Sequence, residues 1–169
     1  MPEIKQPEPW LRGTLTDTPA VLRAVLHALQ AAEEDLVSRC ETLTNEEINA
    51  RPSGLPSVAF HLKHIAGSLD RLLTYAEGRD LTDQQMLALK SEANPAPATD
   101  QLFLEFSAAL KTSADRVRRI KPEELEQPRT VGRRRLPTTL AGLLVHVADH
   151  TQRHVGQAIT TARIVQAKQ

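Results

Sequence analysis

The chain has no net charge, a single cysteine and no long apolar run, and each of these narrows what it can be. Its 169 residues carry 21 basic and 21 acidic side chains. Such a balance supplies no field for drawing in a polyanion, and it argues against nucleic acid or an anionic membrane as partner. The one dense basic run, Arg133, Arg134 and Arg135 with Arg129 nearby, reads as a solvated loop. Cys40 stands alone, so no internal disulfide can form, which fits a reducing interior. Set among Leu36, Val37 and Leu43, it reads as a small buried hydrophobe rather than a nucleophile. No stretch approaches the ~18 uncharged apolar residues of a membrane helix. The first residues, with Pro2, Pro7 and Pro9 and two acids before Trp10, lack the basic region and apolar run of a signal peptide. A cytoplasmic protein is the expectation. Internal repeats and low-complexity tracts are also missing.

What is present is helical periodicity. The length suits one well-buried core, so the expected organisation is an N-terminal arm over 1–17 and one domain over 18–169. The first long helix is expected where Thr18 can cap and Pro19 can take the first helical position, with Leu22, Val25, Leu26, Leu29, Leu36 and Cys40 on its buried face. Thr44 and Glu47 have capping-box spacing and open a short turn that Pro52 and Gly54 end. After Pro56, a second helix runs through Leu62, Ile65, Leu69 and Leu73 and stops at Gly78. Residues 79–98 form a long connection with a short helical turn at 83–90 and the breaker string Asn94-Pro95-Ala96-Pro97. Thr99 is the expected cap of a third helix bearing Leu102, Phe106, Leu110 and Val117. Pro122 and Pro128 break the chain, residues 129–135 form a loop or short hairpin, and Thr138 or Thr139 caps a last, longest helix. Four long helices with few β-type segments predict an all-α four-helix bundle with a long second connection.

Five of the six histidines fall into two groups, His61 with His64 and His146 with His150 and His154. Residues four apart share a helix face, and imidazole is a common ligand for divalent transition metals. The outer two of the last group are separated by roughly 12 Å along a helix axis, too far for one ion with bonds of about 2 Å. A neighbouring pair should therefore bind, either the first two or the last two, and spacing does not choose between them. A further ligand would come from His61 or His64. His27 stands apart and reads as structural.

The stretch His146-Val-Ala-Asp-His150-Thr-Gln-Arg-His154-Val-Gly-Gln157, together with Phe60-His61-Leu-Lys-His64-Ile-Ala-Gly-Ser-Leu-Asp70-Arg71, resembles the DinB/YfiT-like superfamily of metal-dependent bundles. The likeness spans nearly the whole chain, including the Leu43–Glu47 turn, the long connection and the closing helix. It implies one metal-ligating histidine on the second helix and two, four apart, on the last, which here are His64, His150 and His154. His61 and His146 then become candidates for the pocket wall or for supporting the ligands. Ser68, one turn after His64, and Gln157, three after His154, are placed to line a pocket or orient an imidazole. No carboxylate is spaced to share a ligand face, and Asp70 and Asp149 read as surface salt bridges or caps.

Three neutral imidazoles around a divalent ion leave a position open, the arrangement of a catalytic metal, which can lower the pKa of bound water or of a bound thiol. Zinc or nickel is the first expectation and iron or manganese the next. The resemblance implies a thiol transferase using a low-molecular-weight thiol, or a hydrolase, acting on a small molecule, and a homodimer. A metal- or ligand-binding stress-response bundle without turnover is the alternative. A dimeric helical interaction protein with a vestigial site is another.

Overall fold

A computed structural model describes residues 6–167 of the chain. The first helix, α1 (Ala20–Cys40), buries Leu22, Val25, Leu29, Leu36 and Cys40 at helical spacing. Pro19 is its N-cap, with ψ at 143°, rather than its first helical residue. Thr18 therefore stands one position too early to cap, contrary to expectation. The preceding segment lies on α1: Arg12 pairs with Glu34 at 2.6 Å, and Thr14 Oγ1 lies 3.1 Å from His27 Nε2. His27 is buried and structural, as its isolation suggested.

The short α2 (Asn45–Asn49) opens on the expected capping box, with Thr44 Oγ1 accepting from Glu47 N and Glu47 Oε2 accepting from Thr44 N. A 3-10 turn at Pro52–Gly54 follows. Ser57, whose hydroxyl accepts from Phe60 N, then starts α3 (Val58–Ala76). Gly78 ends it at a φ of 75°, a left-handed conformation that glycine adopts without strain.

The long connection holds α4 (Asp83–Ser91), capped by a Thr82–Gln85 box. No residue of α4 is buried. It is fastened from outside, by Gln85 Nε2 donating to Asp70 Oδ2 at 2.7 Å and to Thr74 Oγ1 at 2.9 Å, and by Lys63 Nζ donating to the carbonyls of Ser91 and Asn94. Asn49 exchanges two hydrogen bonds with the backbone of Ala96, which ties the breaker string to α2.

Next comes α5 (Thr99–Arg118), whose N-cap is Ala98. Thr99 is inside the helix, and its backbone N and hydroxyl both donate to Asn45 Oδ1, so it fixes α5 to α2 instead of capping. The basic stretch is a hairpin, β1 (Pro128–Val131) with β2 (Leu136–Thr139), in the register Val131↔Leu136 and Pro128↔Thr139. It runs into α6 (Leu140–Gln166), capped by Thr139 Oγ1 accepting from Gly142 N.

The four long helices pack in the cyclic order α1, α6, α3, α5, giving an all-α bundle with one small hairpin. Leu36, Leu62, Ile65, Leu69, Leu144 and Val147 are fully buried where these helices meet. Burial pushes the Cys40 thiol up to about 11, which leaves it un-ionised and inert. Among the described residues no helix is long and apolar enough to cross a membrane.

Candidate metal centre

The two histidine groups lie on α3 and α6, which pack against each other along the bundle. His64, His150 and His154 each offer a ring nitrogen, and these nitrogens all lie within 4.8 Å of one another. His64 Nε2 and His150 Nε2 are 3.1 Å apart. Two imidazole nitrogens bound to one ion at about 2.0–2.1 Å can be at most roughly 4.2 Å apart, so this pair fits a shared cation as it stands. His154 completes the triangle, with its ring centroid 4.4 Å from that of His64 and 4.6 Å from that of His150. Of the histidines in the two motifs, these are the three brought to a common point.

Two of the three rings are held by a further side chain. His64 Nδ1 is 2.7 Å from Glu92 Oε2, and Arg71 donates to Glu92 Oε1 at 2.7 Å. Burial works to raise the Glu92 pKa, but the hydrogen bonds from His64 and Arg71 outweigh it and hold the carboxyl below its usual range. An ionised carboxylate can only accept, so His64 Nδ1 carries the proton and Nε2 presents its lone pair towards His150. Glu92 is 5% exposed and Arg71 9%. Gly67 makes room for them: a Cβ there would lie 2.4 Å from Glu92 Oε1 and 2.7 Å from the Arg71 guanidinium.

His61 does the corresponding work for His154. It is buried, and its Nδ1 lies 3.1 Å from His154 Nδ1. Burial first, and then the neighbouring His154 and His64, push the His61 pKa down to about 4, so this ring is neutral near pH 7 and can accept a hydrogen bond from His154 Nδ1. That tautomer leaves His154 Nε2 free. His150 is likewise pushed down to about 4, by burial first and then by His154 and His64, and His154 shifts in the same direction. Phe60 stacks on His64 at 5.3 Å and 11° and closes that side of the ring.

A cavity of about 850 Å³ opens beside the cluster, with His64, His146 and His150 in its wall. His146 is exposed and its ring lies 5.4 Å from that of His150. Ser68 also lines the cavity, but its hydroxyl donates to Ile65 O at 3.0 Å and orients no imidazole. Gln157 is exposed and is not among the lining residues. It lies about 10 Å further along α6 than His150, past the end of the cavity. Asp70 and Asp149 are ion-paired with Arg116 and Arg153, as their spacing suggested.

Glu92 is the site residue that sequence reasoning missed. It sits in the long connection, 28 residues from His64, at no spacing that helix periodicity can read. The available signal was an acidic residue at the end of the expected 83–90 turn and a lone Arg71 facing the same way on the second helix.

The DinB superfamily profile matches residues 28–158. A crystal structure of a conserved protein from Enterococcus faecalis superposes with a TM-score of 0.71 at 22% identity, over 87% of this chain and 98% of that one, and so shares the fold. No curated protein matches the chain.

Proposed function

The chain belongs to the DinB superfamily, and from that premise we propose that it is a metal-dependent enzyme in which His64, His150 and His154 hold one divalent transition-metal ion, zinc or nickel before iron or manganese. The reaction proposed is transfer of a low-molecular-weight thiol to a small electrophile. The observation that carries this reading is the convergence of three imidazoles, each offering one nitrogen to a point beside a cavity. When bound, such an ion supplies positive charge that favours the thiolate over the thiol near neutral pH.

The chain's own residues do the rest. Glu92 and His61 hold the proton on the outer nitrogens of His64 and His154, which keeps the inner ones available. Leu72, Leu81 and Met86 give the cavity an apolar flank that limits water. Glu92 is taken up by two partners and cannot also serve as a general base. A thiol, whose free pKa is about 8.5, needs a smaller shift from the ion than water at about 15.7, and on that ground transfer is put ahead of hydrolysis.

Protein purified without chelator is expected to carry one metal ion per chain, and His150→Ala to lose it. Protein that binds no metal, with His150→Ala indistinguishable from it, contradicts the metal reading. The loaded protein should consume thiol in the presence of an activated aryl halide or epoxide. Metal and thiol binding without turnover would make the chain a capture module.

A further inference from the structure

The cavity beside the histidines has a second chemical feature, on the side formed by the β1–β2 hairpin. The four-residue tip, 132–135, places Arg133 and Arg135 in the cavity wall with Gly132 between them and β1. The guanidinium of Arg133 makes no hydrogen bond or ion pair among the described residues. Arg135 reaches only Asp80, at 3.8 Å, with the two side chains 67% and 89% exposed. An ion pair that open is weak and readily exchanged.

The wall also holds Arg71 and the carboxylates of Asp80 and Asp83. Arg71 is taken by Glu92. Asp83 lies in the first turn of α4, where the helix N-terminus stabilises a negative charge.

The backbone at the tip is costly. Arg135 has φ at 47°, a left-handed conformation that favours glycine, and is held there by its N–H donating to Gly132 O at 2.9 Å. The hairpin base is anchored, since Arg129 Nε donates to Ala76 O at 2.6 Å and Leu140 N to Gln127 O at 3.0 Å. The two arginines are thus carried on an anchored hairpin, in the wall of the cavity that the histidines also line.

We propose that Arg133 and Arg135 form an anion subsite, so that the ligand of this cavity is an amphipathic small molecule with a carboxylate at the hairpin end and its reacting atom at the histidine end. Guanidinium forks pair with carboxylates through parallel N–H···O bonds and set both position and orientation. The claim rests on the thiol reading only for the atom at the histidine end.

The test compares matched probes. Cobalt-loaded protein is titrated with 6-mercaptohexanoate and with 6-mercaptohexanol, followed by the thiolate-to-cobalt absorption band, and metal-free protein is titrated with hexanoate and hexanol, followed by NMR shifts at residues 131–136. The carboxylate member is expected to bind about tenfold more tightly in each pair, with the margin shrinking as salt is raised. In Arg133→Gln/Arg135→Gly the margin should fall to less than twofold. Glycine at 135 suits the backbone, and Arg133→Gln alone, expected to lose part of the margin, serves as the second variant. Equal binding of charged and neutral probes, or a margin that survives both substitutions, overturns the subsite. A carboxylate margin in the metal-free pair with no thiolate band in the cobalt protein upholds the subsite and counts against the thiol reading.

Discussion

A histidine ligates a metal well only if its other nitrogen is told where to keep its proton, and Glu92 does that for His64 through a 2.7 Å contact. Glu92→Gln keeps the shape but replaces an acceptor-only group with an amide that can also donate. Metal affinity should fall by about 10–100-fold, measured by competition with a chromophoric chelator. Gly67→Ala should weaken metal in the same direction with Glu92 intact, because the added methyl would fall on the carboxylate and guanidinium. Gly156→Ala on α6 is the control: nothing lies within 4 Å of the added carbon, so this change should leave affinity alone and stabilise the helix by up to about 1 kcal/mol. Unchanged affinity in Glu92→Gln would mean that Glu92 does not set the His64 tautomer.

At the scale of elements, α4 is unusual in burying none of its own residues. Its position depends on polar fastenings at both ends, Gln85 to α3 at one and Lys63, His64 and Arg71 at the other. Arg71→Gln leaves a buried carboxylate with half its partners and should cost about 3–5 kcal/mol. Amide exchange across 83–91 should accelerate more than across α3. Uniform exchange in the two helices would contradict this division.

Helix periodicity is enough to read α1, α3, α5 and α6, because each must bury one apolar stripe, and the Thr44–Glu47 box is legible from spacing alone. The caps of α1 and α5 are not. Pro19 can serve as an extended N-cap as readily as a first helical residue, and Thr99 is claimed by Asn45 from another element. Which histidines of α6, and which of His61 and His64, come together is likewise set by packing across helices, which local spacing does not encode. Glu92 escapes for the same reason, since α4 buries none of its residues and its place in the site exists only once it docks.

Across the whole molecule, metal, acid and stability are linked. In the metal-free protein, His61 and His150 titrate at about 4 when folded, against an ordinary 6.5. Between those values the unfolded chain binds the protons and the folded one does not, so stability is full above pH 6.5 and is lost as pH falls towards 4. The charges facing His150 are His64, His146, His154 and Arg153, all of which disfavour protonation there. The midpoint of thermal unfolding should drop by on the order of 5–10 °C from pH 7 to pH 5. A flat profile would contradict the neutral state of these rings in the folded protein. At pH 7, an ion at a hundredfold excess over its dissociation constant adds about 2.7 kcal/mol, a rise of roughly 5–10 °C for a chain of this size.

The most direct measurement is an anomalous difference map, recorded at the absorption edge of the metal the protein retains on purification. The account predicts one peak at bonding distance, about 2.0–2.2 Å, from a ring nitrogen of each of His64, His150 and His154. A peak bound elsewhere, or the three rings free of density in protein whose metal content is one per chain, would contradict it.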